Sequence, residues 1–306
     1  MNACITEVGA PGTCEPITTS RRLADCPVAN QRLAELQAEQ IERAGFPVRQ
    51  RPTTGEMHLV VMGNAWICQD DLQRVRHADS PVCLVGADGE PLAWIGKDPE
   101  PPPAPDITPL PAGAESFRIR YPWDLLRLNE LLVPAAPGSE EGQVAASAVI
   151  DGRLATGSGT RILAGVYIEG HVLIGSDCKI GPNCYLRGNT SIGDRCHIGQ
   201  AVEIKNSIVM SDVSIGHLSY CGDSIIGLRS NLGAGTITAN FRHDGAPQRC
   251  LGDGRMVETE RRKLGAFLGD DVHTGIHTSI YPGRKLWPGV CTLPGQVVSH
   301  DVREPE

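Results

Sequence analysis

Aromatic side chains are scarce in this sequence: Phe, Trp and Tyr make up 4% of its 306 residues. A core with so few rings must be assembled from small and aliphatic side chains, which suits stacked repeating units better than one globular interior. Long apolar runs are missing too. No stretch reaches the roughly 20 residues a membrane helix needs, and no apolar segment follows a basic N-terminus. Neither a membrane partner nor a secretory leader is expected, and the sequence reads as cytoplasmic. Positive charge is in deficit, with 28 Lys and Arg against 36 Asp and Glu and a formal net charge of -8. That balance argues against nucleic acid or an anionic lipid surface as a general partner. Eleven cysteines are present, yet none are spaced as CxxC, so no zinc framework or redox motif is expected.

What the sequence does have is a step of six. Val144, Ile150, Thr156, Ile162, Ile168, Ile174, Ile180, Leu186, Ile192, Ile198, Ile204 and Met210 keep it unbroken. Small or apolar residues follow four positions after these, Cys178, Cys184 and Cys196 among them. A helix repeats at about 3.6 and a strand at about 2, so the period fits neither alone. It fits a mainly β coil of short parallel strands, the hexapeptide β-helix, with the cysteines as compact inward hydrophobes. The phase slips at Ile215, continues through Cys221, Ile226 and Leu232, and returns at Leu268, Thr274, Ile280, Leu286, Thr292 and Val298.

Three regions follow: a small α/β domain over residues 1–98, a Pro-rich linker with a short helix over 99–141, and the β-helix over 142–306. The first predicts strands over 1–5, 58–62, 81–85 and 91–95. It predicts a helix over 31–44, capped by Asn30 and stopped by Gly45, and a second helix begun by Asp70. Residues 99–111 are expected to form a semi-rigid linker, and Tyr121–Leu126 to begin the short helix. Within the β-helix the rhythm fails over 239–263, an inserted loop rich in charge and therefore a place for binding chemistry.

Three hexapeptides make one coil, so residues eighteen apart stack. Arg187 and Lys205 are so spaced, and two cations on neighbouring rungs repel unless an anion joins them, which suggests a phosphate clamp. His217 sits at the phase slip and is the natural general base near neutral pH, with Tyr220 and Asn231 as nearby donors. Backbone amides around 233–235 are candidates to steady an oxyanion.

The runs Gly216-His217-Leu218-Ser219-Tyr220-x-Gly222-Asp223 and Asn231-Leu232-Gly233-Ala234-Gly235-Thr236-Ile237-Thr238-Ala239-Asn240 resemble the acetyltransferase domain of the bifunctional glucosamine-1-phosphate acetyltransferase/uridyltransferases. Arg261-Arg262-Lys263-Leu264-Gly265-Ala266-Phe267-Leu268-Gly269-Asp270 is similar to the archaeal sugar-1-phosphate nucleotidylyltransferase/acetyltransferase branch. The resemblance covers about residues 144–302. It implies a left-handed parallel β-helix, a homotrimer, acetyl-CoA as acyl donor and no metal. It implies acyl transfer to the amine of an amino sugar phosphate or related anionic amine, with His217 catalytic. The acceptor's contacts fall on Arg187, Lys205, Tyr220, Asn231 and Lys263, and the donor's on Ala234, Asn240, Phe241, Ile276 and Pro294. Phe241 replaces the tyrosine of the bacterial enzymes, and the chain stops without their C-terminal arm, which bears on donor affinity.

The N-terminal part is similar to the companion nucleotidyltransferase domain in fragments only. Cys14 replaces an arginine in the loop 9–16, Leu23 stands at the lysine position before Pro27-Val28-Ala29-Asn30, and Met62-Gly63-Asn64 lacks the metal-binding aspartate. Without that carboxylate little would hold Mg²⁺, and no nucleotidyl transfer is expected. Two other readings remain: a non-catalytic sugar-phosphate- or nucleotide-binding regulator or scaffold, and a zinc enzyme using His171, His197, His273 and His277, whose spacing forms no ligand set.

Overall fold

The computed structural model describes residues 1–6, 14–49, 55–78, 81–97 and 107–304. The chain divides into two units, Met1–Thr13, Leu23–Asp25 and Gln31–Arg120 in one, and Cys14–Arg22, Cys26–Asn30 and Tyr121–Glu306 in the other.

The first unit is built on a five-stranded sheet, in the order Asn2–Thr6, His58–Met62, Pro91–Gly96, Val82–Val85 and Thr108–Pro111. Period-2 alternation gives it two buried faces. Leu59 and Val61 join Ile41 of helix α1 (Leu33–Arg43) and Leu72 and Val75 of helix α2 (Gln69–Arg76), while Val60 packs with Cys4, Cys83 and Trp94 on the other side. The expected strands and both helices are present, but their caps differ. Arg32, not Asn30, is the N-cap of α1, with Glu35 accepting from its backbone N–H, and Cys68, not Asp70, is the N-cap of α2. Asn30 lies in a turn at φ 63 and gives its side-chain amide to the Ile192 carbonyl at 2.8 Å. Thr108–Pro111, read from its prolines as linker, is a strand paired in parallel with Val82–Val85. An edge position tolerates the missing N–H groups of its two prolines. The rest of the expected linker, residues 99–106, and the loop residues 9–13 lie outside the described residues.

Asp71 holds this unit's second helix to the turn at Gly113. It accepts the Gly113 N–H at 2.8 Å and the Arg74 guanidinium at 2.6 Å, and is 2% exposed. Burial pushes its carboxyl up, but hydrogen bonds from Ser116, Gly113, Arg74 and Cys68 outweigh it and leave the group below its ordinary 3.8. A depressed carboxyl stabilises the fold above its unfolded pKa and stops doing so as pH falls through the folded one. Asp71→Asn is therefore expected to cost about 1.5–3 kcal/mol near neutral pH in urea denaturation, with the deficit closing well below about pH 4. A deficit that stays constant with pH would show that the charge is not used.

The second unit is a parallel β-solenoid of about nine turns. One face is a seven-stranded sheet running from Gln143–Val144 to His273–Thr274, and the other faces form a twelve-stranded sheet. The residues at the step of six fill the interior: Ile162, Ile168, Ile180, Leu186, Ile192, Ile198 and Ile204 are at most 1% exposed, and Cys178, Cys184 and Cys196 lie among them. Val144 and Ile150, at the open end of the coil, are 46% and 39% exposed. The long strands Val149–Thr156, Tyr167–Ile174 and Tyr185–Ile192 turn the coil's corner at Gly152, Gly170 and Gly188, stacked in register. A Cβ on Gly152 (φ +141) would meet the Gly170 carbonyl oxygen at 2.1 Å, so the corner requires glycine.

The phase slip falls earlier than expected. Val209 pairs with Ile192 and enters the core, whereas Met210 turns out and its sulfur accepts from Arg21. From there the rungs are seventeen residues apart, Ile198 to Ile215 and Ile204 to Cys221. The inserted loop is an excursion holding an antiparallel hairpin, Arg249–Gly252 with Arg255–Glu258. Across it the coil closes without a gap, with Ile226 on Leu268, Leu232 on Thr274 and Thr238 on Ile280.

Segment Cys14–Arg22 packs with the solenoid. Arg21, 10% exposed, donates to both oxygens of Asp270, which also accepts from Ser20 at 2.6 Å and from the Leu228 N–H at 2.9 Å. Helix α3 (Pro122–Leu132) lies on the coil beside it, where Asn129 gives its amide to the Asn189 carbonyl and accepts from Ala29 and Ser191. Among the described residues no helix is long and apolar enough to cross a membrane, and no disulfide joins the eleven cysteines.

Candidate active site

Two columns of side chains on the solenoid carry the candidate chemistry. The first runs down one corner of the coil. The N–H of Gly235 donates to His217, that of His277 to Ala234 and that of Gly295 to Ile276, each one rung on. His217, Ala234, Ile276 and Pro294 therefore stack at the same corner over three rungs, about 14 Å at the usual strand spacing. His217 ends the strand Ser214–His217 with its ring exposed. Apolar side chains flank the column, Leu218 at 64%, Ile276 at 51% and Leu293 at 60% exposed.

The second column lies on the adjoining face. Arg187 and Lys205 are direct rung partners, as their spacing requires. The expected mutual repulsion is relieved within the chain, because each cation has its own carboxylate. Glu203 accepts from Arg187 at 2.7 Å, and Asp223 accepts from Lys205 at 2.9 and 3.1 Å. Burial would depress the Arg187 guanidinium, but Glu203 outweighs that and raises it. Asp223 is 2% exposed and accepts further from Asn206 at 3.0 Å and Asn240 at 2.6 Å. Asn206 also donates to Glu130, which pairs with Arg261. Asn240 donates to the Tyr220 hydroxyl at 2.8 Å, and burial, with Asp223 and Glu203, pushes that phenol up to about 12. Tyr220 is therefore a protonated donor at neutral pH. The ammonium of Lys205 has three N–H groups, so one remains after Asp223 has been served.

The anticipated residues thus separate. Tyr220 begins a strand three residues after His217, so one chain turn joins the two columns. Asn240, anticipated for the donor, is tied to Tyr220 and Asp223 on the acceptor side. Phe241 is 43% exposed beneath the Lys263 ammonium, 4.2 Å from its ring centre. Asn231 is not brought to this cluster; it stands on the seven-stranded sheet between Ser214 and His273. Of the backbone amides around 233–235, Gly233 donates to Thr274 and Gly235 to His217, so only Ala234 is available to an oxyanion.

Glu203, Asp223, Asn206, Glu130 and Arg261 were missed. Asp223 lies eighteen residues beyond Lys205, but past the slip the rung partner of Lys205 is Gly222, so no fixed spacing announces the contact. Glu130, on α3, has no spacing signal either.

Residues 168–284 match the family model for the GMPPB C-terminal domain. The bifunctional protein GlmU of Methanococcus maripaludis (strain C7) is 47% identical over 186 residues, 61% of this chain and 45% of that protein. The bifunctional sugar-1-phosphate nucleotidylyltransferase/acetyltransferase of Sulfurisphaera tokodaii is 45% identical over 102 residues, 33% of this chain and 25% of that protein. Among solved structures, Francisella novicida UDP-N-acetylglucosamine acyltransferase aligns over 54% of this chain and 61% of its own, at 15% identity and a TM-score of 0.29. The chain spans less than half the length of both curated relatives. Its C-terminal half is homologous to the bifunctional sugar-1-phosphate nucleotidylyltransferase/acetyltransferases.

Proposed function

We propose that this chain is a CoA-dependent N-acyltransferase acting on the amine of an amino sugar phosphate or a related anionic amine. The observation that carries the reading is the pair of adjoining columns, an exposed His217 heading an apolar corner beside two cations on neighbouring rungs. Ala234, Ile276 and Pro294 stack along the corner where a pantetheine arm would lie, and acetyl-CoA bound there would supply the acyl thioester. Arg187 and Lys205 hold the acceptor's phosphate through the N–H groups that Glu203 and Asp223 leave unused. Tyr220 orients the acceptor through its hydroxyl, and Lys263 closes over the same anion. His217 takes the proton from the amine as it attacks.

Assembly as a homotrimer in the cytoplasm belongs to the same reading. The exposed Leu218, Ile276 and Leu293 near this corner support self-association, since exposed apolar side chains favour contact sites. No nucleotidyl transfer is proposed, because Leu23 and Asn64 offer neither a cation nor a metal-binding carboxylate.

Release of thiol from acetyl-CoA, assayed with a panel of amino sugar 1-phosphates and aminated sugar nucleotides, tests this. Turnover with at least one acceptor is expected. A protein that binds sugar phosphates in equilibrium dialysis yet releases no thiol with any amine would replace this reading with a non-catalytic binding role.

A further inference from the structure

The column of Arg187 and Lys205 does not end at the acceptor cluster. Lys205 pairs with Gly222, and the same outward position continues through Ala239, Tyr281 and Ser299, where the N–H of Ala239 donates to Ile280 and that of Tyr281 to Val298. These last three residues floor a cavity of about 720 Å³ whose other wall is the excursion. Tyr281 lies three rungs from Lys205, about 14 Å at the usual strand spacing. A phosphate held by Lys205 therefore cannot reach it, and the cavity is a separate subsite.

Its lining combines two chemistries. Three guanidiniums, Arg242, Arg249 and Arg284, face one carboxylate, Asp244. Arg242 is engaged by Asp244 at 2.6 and 2.9 Å, and Arg249 by Glu258 at 3.2 Å. Arg284 bonds to the Pro282 carbonyl and has no carboxylate partner among the described residues. Beside these cations stand large, partly exposed apolar groups: Phe241 at 43%, with Lys263 over one ring face, Tyr281 at 53% and Met256 at 42%. An independent sign of a ligand comes from Gln248 in the same wall. It is 3% exposed, and its side-chain Nε2 has no acceptor among the described residues. A buried donor left unpaired destabilises the fold unless something supplies the acceptor.

We propose that this cavity binds a nucleoside phosphate, with the phosphate on Arg284, the base against the Tyr281 and Phe241 rings, and a base or sugar oxygen accepting from Gln248. A bare phosphate would satisfy the arginine but leave the rings and most of the volume unused. Guanidinium for phosphate and an aromatic face for a base are the usual pairings. The site stands on its own lining and would remain if the acyl-transfer reading failed.

Titration calorimetry of the whole chain with UMP, AMP and inorganic phosphate tests it directly. At least one nucleotide is expected to bind more tightly than phosphate. Arg284→Gln should weaken both kinds of ligand about tenfold or more, with Arg284→Lys recovering part of the loss. Tyr281→Ala should weaken the nucleotide roughly tenfold, in line with one lost stacking contact, and leave phosphate unchanged. Circular dichroism would confirm that the variants fold. No nucleotide binding at millimolar concentration, or binding that neither Tyr281→Ala nor Arg284→Gln alters, would overturn the assignment. The source of the nucleotide is read from acyl transfer. If Tyr281→Ala raises KM for aminated sugar nucleotides alone, the ligand is the nucleotide half of the acceptor. If KM is unchanged for every acceptor while binding is weakened, it is a free nucleotide.

Discussion

His217→Ala is expected to lower kcat for acyl transfer by roughly 10²–10⁴, the usual contribution of a positioned general base. KM for donor and acceptor should change little, because a proton acceptor acts in the transition state rather than in ground-state binding. The structure makes the experiment clean. The imidazole is exposed and forms no hydrogen bond among the described residues, while the rung contact from Gly235 uses the His217 backbone carbonyl, which alanine keeps. Stability should therefore stay within about 0.5 kcal/mol of the parent. A variant that keeps folding and binding but loses turnover identifies the base. A loss of less than tenfold would mean that the proton goes elsewhere and that the corner column serves only to bind.

The second large effect is structural. Asp270→Ala is expected to cost about 3–5 kcal/mol, because it leaves the guanidinium of Arg21 buried without its counter-charge. Asp270 is 4% exposed and also serves Ser20 and the Leu228 N–H, so alanine strands several donors at once. Urea denaturation followed by tryptophan fluorescence would measure the loss. Trypsin should cut sooner at Arg21 and Arg22 as the segment Cys14–Arg22 detaches. The double variant Arg21→Met, Asp270→Ala should recover part of the stability, since removing both charges costs less than removing one. A single-variant loss below about 1 kcal/mol would show that the pair is not what holds the segment.

The same ion pair explains why the domain boundaries were hard to read. Segment Cys14–Arg22 belongs with a solenoid that begins more than a hundred residues later, and the ties from Ser20 and Arg21 to Asp270 and Met210 have no periodicity to announce them. The coil itself was legible because every face of every turn demands an inward residue at a fixed step. That signal failed only where it was degenerate. Ile208, Val209 and Met210 are all apolar, so composition could not choose which one enters the core, and the slip was placed one strand too late. Thr108–Pro111 was misread because proline is judged as a breaker, although at a sheet's edge its missing N–H is harmless. At the site, spacing aligned Arg187 with Lys205 correctly. The inference of an unrelieved repulsion failed because Glu203 lies on the outward face of the strand that carries Lys205, and Asp223 sits in the turn one residue past Gly222, the rung partner of Lys205.

The coil meets itself rung on rung across the excursion, so nothing in the interior depends on what the excursion says. Lengthening such a loop is cheap, about 0.6 kcal/mol for each doubling. Rod and appendage can therefore change at different rates. The stacked Ile, Val and Cys positions tolerate little, while the exposed residues between Phe241 and Glu258 can vary around the buried Gln248 and Cys250. On the proposed reading of the cavity, a chimaera that exchanges the excursion between related coils would replace its Phe241 and Gln248 wall and keep Tyr281 and Arg284, which belong to the coil.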